Sequence, residues 1–202
     1  MYKGAILPLF YLPPTDFFKK LIANKQNILI EQYEHFPKQT YRNRARIQSP
    51  NGRLDLIVPV VKGSKVHTCV KDVKISNDFN WQRIHWMSLQ TCYRTSSFFE
   101  FYEDSLAPFY SKKFTYLFDL NEQLLQLLLQ LFKINITWQK TTAYEKHYPD
   151  MLDLRESIHP KKEPEGDFKP YFQVFEDKCG FLKNLSIVDL LFSQGPQSIH
   201  YL

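Results

Sequence analysis

Glycine and cysteine are both scarce in this chain of 202 residues. There are only six glycines, and neither GxGxxG nor GxxxxGKS/T occurs, so the sequence excludes a glycine-rich loop that cradles phosphates. The three cysteines, Cys69, Cys92 and Cys179, are far apart and odd in number, which is typical of buried thiols in a reduced, cytoplasmic protein. A disulfide framework is therefore not expected.

Long apolar runs and metal-ligand spacings are missing as well. No stretch of about 18 apolar residues occurs, so the sequence predicts no membrane span. The opening segment MYKGAILPLFYLPP is broken by prolines and lacks a small-residue cleavage pattern, which argues against a signal peptide. The histidines show neither HxH nor HExxH spacing, so we predict no metal site, and no motif indicates a cofactor.

Positive charge is present but modest, at a net +5. A DNA-binding protein usually concentrates its cations along one element, and only residues 38–46, with four basic residues and no acid, come close. The excess indicates either a solvated face or a contact surface for an anionic polymer, for which nucleic acid is the obvious candidate. Aromatic residues make up 16% of the chain, which suits compact cores and flat ligand pockets equally.

The order of apolar segments predicts an α/β fold. A strand at Ala5–Phe10, a helix over 15–24 and a strand at Asn27–Tyr33 suggest a parallel pair with a crossover helix. Asn51-Gly52 marks a tight hairpin. The other predicted elements are strands at Val66–Ile75 and Ile134–Lys140 and helices at Trp81–Tyr93, Pro108–Phe118, Asp119–Lys133 and Leu185–Phe192. We expect a single domain over residues 1–202, with a mixed β-sheet and flanking helices, in which residues 159–170 form an exposed loop, either a plain connector or a mobile lid.

Acid/base and cationic side chains are concentrated in the segment EQYEHFPKQTYRNRARI, residues 31–47. Ligands of parallel sheets sit beyond the carboxyl ends of the strands, and this segment begins at such an end. Side chains alternate along a strand, so Glu31 and His35 share one face. Such a pair can orient a neutral imidazole as a general base. Alternatively, these polar residues only mark where the strand leaves the core.

Arg42, Asn43 and Arg44 form the second part of this segment. An arginine presents a planar fork that binds phosphate or carboxylate through two hydrogen bonds, and in an extended chain Arg42, Arg44 and Arg46 would line one face. That pattern predicts a site for an anionic small molecule, with Asn43 holding an acceptor hydroxyl. The alternative is an ion-pair network with nearby acids: Glu31, Glu34 or Asp55.

An aromatic and basic cluster, WQRIHW, contains Trp81 and His85 one helical turn apart. The pair could stack on a nucleobase or a sugar ring, or it could pack in the core with a satisfied histidine. Asp189, on the last predicted helix, joins a site only if the fold brings it near, and could equally pair locally.

Several separate motifs resemble the bacterial WbqC-like protein family: EHFPKQTYRNR, the hairpin followed by LIVPV, DVKIS with NWQRIHW, and NLSIVDLLFSQGP. The resemblance runs from Leu7-Pro8 to Gly195-Pro196 in the expected order. The family has no assigned catalytic residues to carry over. Its name comes from a member associated with O-antigen gene clusters, which implies a role in surface polysaccharide assembly.

Two hypotheses follow. The first is a cytosolic transferase using a nucleotide-activated or otherwise phosphorylated donor, with Arg42 and Arg44 holding the phosphates. Glu31 or His35 would remove a proton from the acceptor, and Trp81 and His85 would align the base or sugar. The second is a non-enzymatic binding module for an anionic polymer or a protein partner. The sequence defines no oligomeric state.

Overall fold

A computed structural model describes residues 2–61 and 68–202. Its strands are β1 Gly4–Leu7, β2 Ile28–Ile30, β3 Arg44–Ser49, β4 Gly52–Ile57, β5 Trp138–Lys140 and β6 Met151–Asp153. Its α-helices are α1 Thr15–Ala23, α2 Trp81–Tyr93, α3 Phe99–Leu106, α4 Pro108–Ser111, α5 Leu117–Leu131, α6 Glu176–Cys179 and α7 Ile187–Gln194. Short 3-10 helices lie at Val70–Asp72 and Gly195–Tyr201.

Four strands form a parallel sheet in the order β5-β2-β1-β6. Ala5 in the middle of the sheet is aligned with Ile28 on one side and Leu152 on the other. The chain adds strands on one side of β1 and then crosses to the other side with β6. Ligands of open parallel sheets bind at such a reversal, beyond the carboxyl ends of the strands.

The remaining strands, β3 and β4, pair antiparallel in a separate hairpin. Its turn is the predicted Asn51-Gly52, and Gly52 has a φ of +97°, which side chains other than glycine rarely adopt. Parallel and antiparallel pairing therefore both occur, in separate sheets. The α/β class predicted from the sequence is confirmed.

One cluster of buried apolar side chains joins the sheet to the helices around it. Helix α1 contributes Phe17, Phe18 and Leu21, which are fully buried. Helix α5 buries leucines around much of its circumference, as its sequence predicts, and α7 buries nearly every residue. No helix in the described ranges is long and apolar enough to cross a membrane.

Three local predictions are wrong. The helix predicted at Pro108–Phe118 ends at Ser111, and residues 112–116 lie outside any helix. The spacing of Asp119 and Glu122 predicts a capping box, but α5 begins earlier, after Tyr116, and has no side-chain cap. Glu122 instead accepts hydrogen bonds from Trp138 Nε1 (3.2 Å) and Lys140 Nζ (3.0 Å), which fixes β5 against α5.

The strand predicted at Val66–Ile75 begins with two residues that lie outside the described ranges. From Thr68 onward the chain forms isolated bridges and a 3-10 helix instead. Its backbone hydrogen bonds run to several neighbouring segments rather than to one sheet. Phe36 N–H donates to the Thr68 carbonyl and Val70 N–H donates to the Glu34 carbonyl, whereas Ile75 N–H donates to the Thr115 carbonyl.

Candidate functional site

Polar side chains follow three of the parallel strands where those strands end. Glu31 follows β2, Thr141 follows β5, and Arg155 lies two residues beyond β6. Glu31 is fully buried and accepts hydrogen bonds from Tyr33 N–H (2.7 Å), Thr141 Oγ1 (3.0 Å) and Arg155 Nη1 (3.3 Å). Glu31 therefore connects three strand ends, and both of its carboxylate oxygens accept hydrogen bonds within the protein.

Arg155 is the second residue that joins several segments at this edge of the sheet. Its Nε contacts both carboxylate oxygens of Asp153 (2.9 and 3.1 Å), and Nη1 and Nη2 donate to the carbonyls of Glu145 (2.8 Å) and Lys146 (3.1 Å). Together with Glu31 these acceptors hold the planar guanidinium from several directions. Arg155 thereby fixes the segment that leads from β5 to β6.

Glu34 and Arg42 form a buried ion pair in front of Arg155. Glu34 Oε1 accepts from Arg42 Nε (2.7 Å) and lies 2.6 Å from Nη2, which also donates to the Arg155 carbonyl (3.2 Å). Only 3% of the Arg42 side chain is exposed. Among the residues that the structure describes, Arg42 Nη1 and Glu34 Oε2 have no hydrogen-bond partner. One donor and one acceptor of the pair therefore remain available.

The electrostatic state of Glu34 follows from its position. Burial raises the pKa of the Glu34 carboxyl above its usual range, and the Arg42 guanidinium offsets part of that rise. A carboxylate with a raised pKa is a stronger base than one in water. Perturbed groups of this kind are concentrated at functional sites.

The pair lines a cavity of about 470 Å³, a size that accommodates a small-molecule ligand. The walls come from the segment after β2 and from the segments after β5 and β6. The lining residues are Tyr33, Glu34, His35, Pro37, Lys38, Thr40, Arg42, Tyr144, Arg155, Glu156, Ile158, His159 and Lys162. Both lining arginines are paired with acids, so the positive charge available to an anion comes chiefly from Lys38 and Lys162.

His159 contributes a defined donor to this cavity. Burial and the neighbouring lysines Lys161 and Lys162 lower its pKa, which favours the neutral imidazole. Its Nδ1 accepts a hydrogen bond from the Lys161 N–H (3.1 Å), which leaves the proton on Nε2. Residues 159–170 are largely exposed, and their first residues form part of the cavity rim.

Of the predicted residues, the structure brings His35 and Arg42 to the cavity. His35 is exposed and lines it, and the backbone of His35 bridges to Cys69. Glu31 lies behind Arg155 and is absent from the lining. Of the predicted Glu31–His35 pair, only His35 therefore lines the cavity.

Asn43, Arg44 and Arg46 belong to the hairpin rather than to the cavity wall. Asn43 Nδ2 donates to the Val58 carbonyl (2.9 Å). Arg44 Nη1 and Arg46 Nε each lie 3.0 Å from a carboxylate oxygen of Asp55, which the hairpin register places directly opposite Arg46. The contacts of these two arginines are those of the ion-pair alternative.

Trp81 and His85 lie in the core. Tyr11 Oη hydrogen-bonds to His85 Nδ1 (2.9 Å), and the rings of Trp81 and His85 are 5.1 Å apart in an edge-on arrangement. Burial lowers the pKa of His85 to about 4. Neither residue contributes to the cavity lining, and their contacts are those of the core-packing alternative.

Asp189 is fully buried in a different polar network, where it pairs locally. Its carboxylate accepts from Tyr93 Oη (2.6 Å), Tyr171 Oη (2.7 Å) and Gln173 Nε2 (3.3 Å). Burial raises the pKa of Asp189 to about 6, and these donors offset part of the rise. Within residues 2–61 and 68–202, no group of three His, Cys, Asp or Glu side chains is placed to hold a metal ion.

Sequence reasoning missed several cavity residues, including Arg155, Tyr144, His159 and Lys162. They follow β5 and β6. Strand β6 is so short that its sequence pattern does not predict a strand. The one available signal was an acid and an arginine two residues apart, Asp153 and Arg155, beside an apolar pair.

Two comparisons with known proteins bear on the identity of the chain. The sequence profile of the WbqC-like protein family matches residues 10–162. The chain is also 26% identical, over 231 residues, to the uncharacterized protein Rv1507c of Mycobacterium tuberculosis, an alignment that covers 100% of this chain and 98% of that protein. No solved structure matches the chain. Since the family profile covers well over half of the sequence, the protein belongs to the WbqC-like protein family.

Proposed function

We propose that this protein is a cytosolic transferase that binds a nucleotide-activated or otherwise phosphorylated donor in the cavity at the carboxyl edge of the parallel sheet. The observation that carries the proposal is the buried Glu34–Arg42 pair. It leaves one acceptor, Glu34 Oε2, and one donor, Arg42 Nη1, available beside the cavity. The exposed ammonium groups of Lys38 and Lys162 add positive charge at the rim.

Each group has a role in such a transfer. Glu34 Oε2 takes the proton from an acceptor hydroxyl or amine as that atom forms its bond to the transferred group. The bond between this group and the donor phosphate breaks, and the departing phosphate keeps the electron pair. Arg42 Nη1, the lysines and the His159 Nε2–H stabilise the charge that develops on it. Glu31 and Arg155 hold these groups in place from the side that faces the strand ends.

The product class follows from the family resemblance. Because the family takes its name from a member associated with O-antigen clusters, we propose that the transferred group enters a surface polysaccharide.

The polymer-binding alternative relies on the stripe over residues 38–46. Two of its four cations, Arg44 and Arg46, pair with Asp55, and the other two, Lys38 and Arg42, line the cavity rather than an extended surface. The transferase is therefore the better-supported proposal.

The test is calorimetric titration with a panel of nucleotide sugars and sugar phosphates, followed by chromatographic assay of the released phosphate compound. We expect one-to-one binding that the double variant Lys38→Ala/Lys162→Ala weakens. Glu34→Gln should lose turnover, since its amide cannot take a proton. Because it also leaves the buried Arg42 guanidinium without its counterion, thermal denaturation of the variant checks that it is folded before binding is compared.

Lys25→Ala is the matched control, because Lys25 is an exposed lysine at the amino end of β2, away from the cavity. If no panel member binds and a single-stranded oligonucleotide binds with a steep salt dependence, the polymer-binding alternative replaces the transferase. Binding that Lys25→Ala weakens as much as the double variant would show non-specific attraction and contradict the proposed site.

A further inference from the structure

Tyr144 presents a flat aromatic surface to the cavity. It follows β5, lines the cavity, and is 54% exposed. Its ring centre lies 5.4 Å from the guanidinium carbon of Arg155, and the ring of Tyr148 lies 5.3 Å from the same carbon. The ring therefore has a fixed partner and an open surface.

The partner is held by several hydrogen bonds, so the group on which one face of the ring rests is ordered before any ligand arrives. Arg155 is fixed by Asp153, Glu31 and the carbonyls of Glu145 and Lys146. Those two carbonyls belong to the same short segment as Tyr144, so the guanidinium holds the backbone of this segment and also contacts the ring. A surface that is ordered in advance loses little entropy when it binds a planar group.

The cationic groups share this cavity with the ring. Arg42, Lys38 and Lys162 line the same space of about 470 Å³. A ligand that joins a flat aromatic ring to an anionic group can therefore contact both features at once. Nucleotides have this combination, because the base stacks on aromatic side chains and the phosphates pair with cations.

We propose that Tyr144 is the nucleobase-stacking residue of the cavity, and that the donor is a nucleotide derivative rather than a simple sugar phosphate. The inference rests on the proposed function, since it assigns a further part of the same ligand. It adds a residue that determines specificity and separates two donor classes that the cationic groups alone would bind alike.

The experiment is calorimetric titration of the wild type, Tyr144→Ala and Tyr144→Phe with four probes: adenosine diphosphate, uridine diphosphate, ribose 5-phosphate and inorganic pyrophosphate. Tyr144→Ala should raise the Kd of at least one nucleotide by about 5- to 150-fold, the range expected for loss of one stacked base. It should leave the Kd of the two base-free probes unchanged. Tyr144→Phe should bind the nucleotides like the wild type, because stacking needs the ring and not the hydroxyl.

The outcomes separate this inference from the proposed function. If the base-free probes bind the wild type but Tyr144→Ala leaves nucleotide affinity unchanged, the stacking role is wrong and the phosphate site stands. If Tyr144→Ala weakens ribose 5-phosphate as much as the nucleotides, the ring contacts the sugar and the assignment to the base is overturned. If none of the four probes binds the wild type, the proposed function itself is contradicted, before any question about Tyr144 arises. Tyr2→Ala, an exposed tyrosine preceding β1, controls for loss of an aromatic side chain elsewhere.

Discussion

The ion pair of Glu34 and Arg42 is costly for the protein to maintain. Both side chains are buried, and removing two charges from water costs several kcal/mol per ion before their attraction is counted. The pair recovers part of this cost through short contacts to one carboxylate oxygen and through the Arg155 carbonyl. The second oxygen of Glu34 and Nη1 of Arg42 gain no such compensation inside the protein, and both atoms are accessible from the cavity, to water or to a ligand.

Arg42→Met tests this view of the pair. The substitution leaves Glu34 as an uncompensated buried charge, so we expect a loss of about 3 to 5 kcal/mol in unfolding free energy at pH 7. The loss should shrink in acid, where Glu34 is protonated. Urea denaturation at pH 7 and pH 4 measures both quantities. Arg53→Met, at an exposed arginine, is the control and should change stability little. Equal losses for the two variants would contradict the buried pair.

In the proposed transferase, Glu34 would also set a pH dependence for turnover. A general base works only when ionised, and burial raises the pKa of Glu34 above its usual range. Activity should therefore fall as the pH falls through a pKa higher than that of an ordinary glutamate, which is about 4.3. A pH profile of kcat/KM measures this acid limb. A limb at or below the ordinary value, or a profile that Glu34→Gln leaves unchanged, would assign the base elsewhere.

Among the elements, those defined by local pattern could be predicted from the sequence. Helix α2 has the predicted bounds, Trp81–Tyr93, and the hairpin turns at Asn51-Gly52 as its residues require. Strand β6 has only three residues, too few to show an alternation of apolar and polar side chains. It forms through its pairing with β1. Because Arg155 follows β6, missing the strand meant missing the residue that organises the site.

The ion-pair partners of the charged residues could not be predicted from local pattern either. The sequence showed that Arg42, Arg44 and Arg46 were close together, but it left their acids open among Glu31, Glu34 and Asp55. The choice depends on hairpin register and on the packing of the loop after β2, which are tertiary properties. The region of the site was therefore predictable from its composition, and the roles within it were not.

The end of α7 provides a test at the scale of an element. Gly195 closes the helix with a φ of +52°, and a Cβ atom there would lie 2.5 Å from the ring of Phe98. Gly180 has a similar φ of +67° but open space around it. Gly195→Ala should therefore destabilise the protein by about 1 to 3 kcal/mol more than Gly180→Ala, because it adds overpacking to the same backbone strain. Thermal denaturation of the two variants compares them, and equal losses would show that the ring of Phe98 yields freely.

Across the whole molecule, a buried polar network joins parts that are distant in sequence. Asp189 on α7 accepts from Tyr93 on α2 and from Tyr171 and Gln173 in the segment before α6. Gln173 in turn accepts from Gln48 of the hairpin (3.3 Å). The network lies apart from the cavity and links the hairpin to the helices that pack around the sheet.

Asp189 gives this network a pH signature. Its pKa in the folded protein is about 6, against 3.8 as the ordinary value, so the folded state binds more protons between those limits. Its contribution to unfolding free energy is therefore greatest below about pH 4 and falls by about 3 kcal/mol as the pH rises past 6. The stability difference between the wild type and Asp189→Asn, measured by denaturation from pH 4 to pH 7, should show this fall. A difference that stays constant with pH would contradict the raised pKa, and the exposed Asp177→Asn serves as control.

The central claim is that the carboxyl edge of the parallel sheet binds a phosphorylated nucleotide derivative. The most direct measurement is an amide chemical-shift titration of the labelled protein with adenosine diphosphate and uridine diphosphate. The account predicts that the largest shifts fall in residues 31–42 and 141–162 and saturate with one ligand per chain. It is contradicted if neither nucleotide shifts these residues, or if the largest shifts lie elsewhere, such as the apolar groove formed by Phe101, Leu131 and Ile199.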